Sequence, residues 1–301
     1  MEKKLILAMA ASALGNIFWG LSFLFNRVAM QETTPEIMLS IRFIIAFALL
    51  NIPLLLGREK ISLRGKKLLP MLGMMVAEPI CFFAESYGIL HTNATFAGVI
   101  VAVAPVFAIA LAAVFLKEYP SRRQIIFCCL PVVGVIIMVL AGKSLGVVTP
   151  IGVFFLLLNC ACIACYRLFN RWGAQEYTAY ERTYLVLAVC MVVFTTVALI
   201  SCGGDLQAFI TPLKTPRFIL PILALCLMCS IGSNMLVNYA ATQLTVAKMS
   251  VFGSLITVVS TFAGVVVLKE PFSLPSLLGT LLIIFGIWQV SRPEKKAAEK
   301  G

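Results

Sequence analysis

Leu24-Phe25-Asn26-Arg27, followed by Gln31-Glu32, returns 144 residues later as Leu168-Phe169-Asn170-Arg171 and Gln175-Glu176. A second set returns at an offset of 152: Tyr87 on Tyr239, Leu116-Lys117-Glu118 on Leu268-Lys269-Glu270, and Gly134 on Gly286. The eight-residue difference is an insertion, placed most simply in the longer loop from Gly203 to Pro216. One four-letter match would be weak, but several at a constant offset mark an internal repeat.

What is repeated follows from composition. Of 301 residues, 61% are hydrophobic and 12% charged, and the mean hydropathy is +1.01. An average globular domain carries about 25% charged residues. Too little polar surface exists to cover a water-soluble particle, so the chain belongs in a bilayer. Ten apolar runs of spanning length lie near 5–26, 36–56, 68–90, 93–116, 123–142, 148–169, 180–201, 217–241, 245–268 and 274–291. Charge and turn signals separate them, among them Thr33-Thr34-Pro35, the basic stretch Gly57 to Lys67, and Lys269-Glu270-Pro271. No gap exceeds about fifteen residues, which leaves no room for a soluble catalytic domain.

Each copy of the repeat therefore holds five spans. An odd number inserts the two copies with opposite orientation, related by a pseudo-twofold axis in the membrane plane. The expected architecture is an all-α polytopic membrane protein of ten transmembrane helices in two inverted five-helix repeats, residues 1–143 and 144–292. A charged cytoplasmic tail, 293–301, follows. Inverted repeats are a device of alternating-access carriers, whose substrate site lies near the midplane between halves.

Lys3 and Lys4 before an apolar run with small residues at Ala8 to Ala13 imitate a secretory signal. The run continues through Trp19 and Phe25, which is spanning length, so it reads as a retained first helix. With the N-terminus in the cytoplasm, seventeen Lys and Arg fall on that side and five outside, with Arg42 and Lys248 inside spans. The positive-inside rule then puts both termini in the cytoplasm. The count assigns Arg167 and Arg182 to the cytoplasmic side and Lys248 to snorkelling. It also accounts for the net charge of +11 without nucleic acid.

Phe18-Trp19-Gly20-Leu21-Ser22-Phe23, then Pro35, Arg42-Phe43, Tyr87, Asn93-Ala94, Pro105 and the two Leu-Lys-Glu copies resemble the EamA-type repeat of the drug/metabolite transporter superfamily. The resemblance covers nearly the whole chain. It implies a ten-helix carrier of the inner (cytoplasmic) membrane whose spans one to four and six to nine line a central cavity, the fifth and tenth being peripheral. It also implies export of amino acids, other small metabolites or drugs. These motifs mark the fold and leave the cargo open.

Ionisable groups at membrane depth are costly, so each is a functional candidate. Glu78 lies about 15 Å into the third span at 1.5 Å per residue, and Glu85 is seven residues on, on the same face. Pro79 removes a backbone donor beside Glu78 and makes a candidate hinge, as does Pro105. Arg42 reaches a depth like that of Glu85, so a structural Arg42–Glu85 pair competes with a binding role for both. Glu78 has no evident partner and is the candidate for exchanging protons. In the second half it aligns with Ser230, and Glu85 aligns with Val237. There the polar groups are Ser230, Asn234 and Asn238, then Ser250, Ser254, Thr257 and Thr261, at helical spacing. The Ser/Thr stripe reads more as helix packing than as a binding face. Asn16, Trp19, Asn159 and Tyr166 are candidates to complete the wall.

Nothing points to a cofactor or metal. His91 is the single histidine and reads as an interfacial residue. Cys162-x-x-Cys165 and Cys226-x-x-Cys229 sit in apolar helices without flanking turns, and read as small core residues. Gly142-Lys143-Ser144 ends like a phosphate-binding loop, but Ile137 stands where the first glycine belongs. The expected function is secondary transport, in the exporting direction, of a small polar or zwitterionic metabolite such as an amino acid, with protons as the coupling ion. Arg42 would meet a carboxylate, and Glu78 or Glu85 an ammonium. Proton-driven efflux of organic cations is the rival within transport, and a non-transporting scaffold the rival outside it. No nucleophile–base set favours an enzyme. The lipid bilayer and a small-molecule substrate are the expected partners, with no nucleic acid.

Overall fold

A computed structural model describes residues 2–111, 122–144, 148–244 and 246–291. The first Leu-Lys-Glu copy (116–118) and the tail from 292 lie outside the described residues. So do the side chains of Cys128, Cys129, Lys143, Lys248, Ser250 and Ser254. Among the described residues there is no strand.

The chain runs α1 (Glu2–Ala29), α2 (Pro35–Leu55), α3 (Leu68–Leu90), α4 (Ala94–Val101), α5 (Ala104–Leu111), α6 (Arg122–Ser144), α7 (Pro150–Gly173) and α8 (Ala179–Ser201). After a loop holding the short α9 (Gln207–Ile210) come α10 (Pro216–Ala224), α11 (Ser233–Gln243), α12 (Val246–Phe262) and α13 (Leu274–Ser291). Two π-helical stretches, Leu225–Gly232 and Ala263–Val267, join α10 to α11 and extend α12. Six segments are long and apolar enough to cross a membrane: α1, α2, α3, α7, α8 and the continuous Pro216–Gln243. Shorter apolar stretches lie in α4–α5, α6, α12 and α13. The chain is thus an all-α, multi-pass membrane protein.

Local chemistry fixes several ends. α2 opens on Pro35 behind Thr34, where a missing N–H costs nothing. α8 opens with a capping box, Thr178 and Glu181 each bonding the other's backbone N–H. α3 begins and ends where the apolar run does, and continues through Pro79.

One expectation needs correction here. The fourth span is not continuous: it breaks at Ala102–Val103 into α4 and α5. Pro105 is the physical reason, since its ring crowds the carbonyl four residues back, at Val101, the last residue of α4.

The helices pack through small residues. Gly73 of α3 lies against the ring of Phe169 in α7, and Gly88 against Leu156, so α3 and α7 run antiparallel in close contact. Gly134 of α6 faces the Gly279 carbonyl of α13, and Gly286 faces Pro131 and the Phe127 carbonyl in return. The repeated glycines 134 and 286 thus let α6 and α13 approach each other.

Candidate functional site

Where α1, α3, α4, α7 and α12 converge, they line a cavity of about 50 Å³. α1 contributes Trp19 and Phe23, and α3 contributes Glu78, Cys81, Phe82 and Glu85. From α7 come Asn159, Ile163, Tyr166 and Arg167, while Val101 and Ile256 close the remaining sides. On each long helix the lining residues recur at intervals of three or four, one face per helix.

The heights of the polar groups follow from the two close approaches between α3 and α7. Between the Gly73–Phe169 and Gly88–Leu156 contacts, Glu78 comes level with Cys165 and Glu85 with Asn159. The backbone of Arg167 lies about 3 Å beyond that of Glu78 at 1.5 Å per residue.

Glu78 is 4% exposed and faces the Asn234 amide. Glu85 accepts hydrogen bonds from Asn26 Nδ2 at 2.7 Å and Ser22 Oγ at 3.3 Å. Arg42 is fully buried and donates from Nε to Ser230 Oγ at 2.7 Å, and from Nη1 to Asn26 Oδ1 at 3.4 Å. Its guanidinium also lies 4.6 Å from the centre of the Phe82 ring. No Arg42–Glu85 ion pair forms among the described residues. Asn26 stands between the two, accepting from one and donating to the other, so the expected direct pair is a bridged triad. The physical reason is reach: both side chains arrive at one depth from different helices, and a short amide fills the gap.

Tyr166 extends beyond the wall to Asn234 Oδ1 at 3.1 Å and Asn238 Oδ1 at 3.2 Å. Asn238 Nδ2 in turn donates to Thr183 Oγ1 at 2.9 Å. Asn234 and Asn238 are buried behind the cavity rather than in its lining, and Asn234 faces Glu78 from there. Ser230 lies within the π-helical stretch, a backbone irregularity frequent at functional sites.

Several sequence candidates fall elsewhere. Asn16 is buried but does not line the cavity, and its Nδ2 donates to the Ser12 carbonyl at 2.6 Å. Thr257 donates to the Gly98 carbonyl at 3.0 Å, a helix-packing bond between α12 and α4. Pro105 marks the α4–α5 break, away from the cavity wall. His91 stacks on Tyr87 at the end of α3. Cys162 faces Cys81 across α3 and α7, and both are free thiols.

Among the charges counted to the cytoplasmic side, Arg167 borders the cavity. Arg167 is 6% exposed and lines the wall. Arg182, likewise assigned to the cytoplasmic side, is fully buried and bonds Asn170 and, at 2.6 Å, the Asn238 carbonyl. Position near a helix end does not reveal that neighbouring helices bury both side chains. A usable signal existed for Arg167, which lies eight residues from Asn159 and so on the same helical face.

A family model described as the EamA-like transporter family matches the chain twice, over residues 5–140 and 150–292. An uncharacterised transporter of Bacillus subtilis (strain 168), YcxC, is 34% identical over 284 residues, covering 93% of this chain and 91% of its own length. An uncharacterised transporter of Archaeoglobus fulgidus is 24% identical over 295 residues, covering 97% and 99%. A solved structure titled only "Crystal structure of protein" superposes with a TM-score of 0.64 at 16% identity, over 94% of this chain and 95% of that one. That likeness concerns the fold alone.

Proposed function

The chain belongs to the EamA-like transporter family and is a membrane transporter; from that premise we propose that it is a secondary active exporter of a small zwitterionic metabolite such as an amino acid. Ten spans in two inverted five-helix repeats, 1–143 and 144–292, would rock about the cavity. Two family matches of nearly equal length support that division. Both termini would face the cytoplasm, in the cytoplasmic membrane.

One observation carries the reading. The cavity sets two carboxylates, Glu78 and Glu85, beside aromatic and aliphatic walls from Trp19, Phe23, Phe82 and Ile256. A cargo with an ammonium group and an apolar body fits that lining. Among the described residues neither carboxylate has a cation within 4.0 Å, so each is available to one brought by the cargo. Glu78, enclosed more completely than Glu85, is the proposed proton-exchanging group. Pro79 would let α3 bend beside it as the cavity opens.

Exchange of labelled amino acids in proteoliposomes, with and without an imposed pH gradient, tests this. The wild type should accumulate label down the gradient, and Glu78→Gln should still exchange but lose the pH dependence. Gradient-driven movement of aromatic monoamines, with none of amino acids, would favour the organic-cation reading. Unchanged transport in Glu78→Gln would remove the coupling role.

A further inference from the structure

We propose that Arg167, together with Asn159, anchors the carboxylate of the cargo, and that Arg42 does not. The proposal rests on the carrier reading above and deepens it by naming the group that recognises the anionic end.

Arg167 is buried and lines the cavity. Among the described residues its guanidinium has no hydrogen-bond acceptor and no carboxylate within 4.0 Å. Of the other buried arginines, Arg42 donates to two side chains through Nε and Nη1, with Nη2 left without a partner, and Arg182 donates to the Asn170 side chain and to the Asn170 and Asn238 carbonyls. A guanidinium taken out of water without an acceptor is strongly unfavourable, and a planar, two-oxygen anion is the ligand its fork geometry fits. Asn159 adds a second open group: it is 1% exposed, and neither its Nδ2 nor its Oδ1 has a partner. The two lie on one face of α7, at i and i+8, and both border the same cavity.

The surroundings favour a carboxylate over a larger anion. Gly253 of α12 lies so close to the guanidinium that a Cβ there would stand 2.8 Å from Nη2. Such a slot admits a flat carboxylate more readily than a tetrahedral phosphate. Glu78 lies at nearly the same height on the opposite helix without pairing with Arg167. An α-amino acid whose ammonium meets Glu78 and whose carboxylate meets Arg167 would bridge that separation. Arg42, by contrast, is committed through Nε and Nη1 to Ser230 and Asn26, and it is absent from the lining.

The test compares an amino acid with its decarboxylated amine, for instance phenylalanine with phenethylamine and leucine with isopentylamine. Binding to the purified, detergent-solubilised protein is read by calorimetry. In the wild type the amino acid should bind at least about tenfold more tightly than the amine, the order expected of a charge-assisted pair. Arg167→Gln should remove that preference and leave amine affinity within about twofold. Should Arg167→Gln fail to fold, Gly253→Ala, which crowds the guanidinium, should narrow the same ratio. An unchanged ratio in both variants would overturn the Arg167 assignment and leave the carrier reading standing. Wild-type protein that binds the amine as well as the amino acid would also overturn it. Binding of neither ligand would sink the zwitterion reading itself, and the carboxylate anchor with it.

Discussion

Glu270 offers the sharpest test of how the fold is held. Its carboxylate reaches from the α12–α13 connection to the start of α4, accepting from the backbone N–H of Ala94 at 2.9 Å and of Thr95 at 2.7 Å. These are two of the four donors that an α-helix leaves without an intrahelical partner, and Asn93 takes a third, the N–H of Phe96, at 2.7 Å. Lys269 before it adopts φ of 58°, a left-handed backbone that turns the chain toward α4. Gly264 leaves the passage open, because a Cβ there would stand 2.7 Å from Glu270 Oε2. Hydrogen bonds to a charged group are each worth about 1.5–3 kcal/mol. Two such bonds at a partly exposed site give an expected loss of about 2–4 kcal/mol for Glu270→Ala. Glu270→Gln retains one acceptor and should lose about half as much.

Reversible unfolding in mixed detergent micelles measures this directly. Gly264→Ala should cost at least as much, because the new Cβ would press on Thr95 Oγ1 as well as on the carboxylate. The double variant Gly264→Ala/Glu270→Ala should then cost clearly less than the two single losses combined, since both remove the same bonds. A Glu270→Ala protein within about 0.5 kcal/mol of wild type would refute the capping argument, that being the range of neutral surface changes. So would strict additivity in the double variant.

Further outcomes follow from other contacts. A Cβ at Gly98 would fall on the Ser260 side chain, so Gly98→Ala should destabilise by about 1–3 kcal/mol, and Ser260→Gly should recover part of the loss in the same unfolding assay. Ser230→Ala leaves Arg42 Nε without its 2.7 Å acceptor and should cost about 1–3 kcal/mol, with cargo affinity unchanged in calorimetry. Lys66→Met removes the 2.6 Å ion pair to buried Glu181. The remaining N–H donors of Ser62 and Thr178 keep that carboxylate solvated, which limits the loss to about 1–2 kcal/mol in urea or detergent titration.

The sequence carried the helices where composition changes sharply. The third span, 68–90, and the last, 274–291, agree with the structure because turn residues and charge bracket each apolar run. The break inside the fourth span has no polar signature, since Ala102 and Val103 are as apolar as their neighbours; only Pro105 announces it. The π-helical stretches at 225–232 and 263–267 are likewise silent, being shifts in backbone pairing rather than in residue type. For the site, spacing along a helix gives depth and face, which is why Glu78, Glu85, Trp19, Asn159 and Tyr166 were all legible. Spacing does not say which groups meet across helices. Hence Asn26 between Arg42 and Glu85 is not legible, and Arg167 stands only among the cytoplasmic-side charges.

The two copies of the repeat share a device that letter-by-letter alignment hides. Asn26, near the end of α1, accepts from Arg42 in α2; Asn170, near the end of α7, accepts from Arg182 in α8. The asparagines align at the repeat offset of 144, whereas the arginines are 140 apart, one helical turn out of register. The same helix–helix tie is therefore built twice from different positions. The cavity charges show no such duplication: the carboxylates come from α3 in the first proposed half and the open guanidinium from α7 in the second. A zwitterion held by both would draw the halves together, and an amine would engage only one. Closing the cavity on an amine would leave Arg167 buried without an acceptor, an unfavourable state that should slow the transition. Amines should thus bind yet exchange at least about tenfold more slowly than the matching amino acid in wild-type proteoliposomes. Equal exchange rates for the two would show that the halves close without an anion between them.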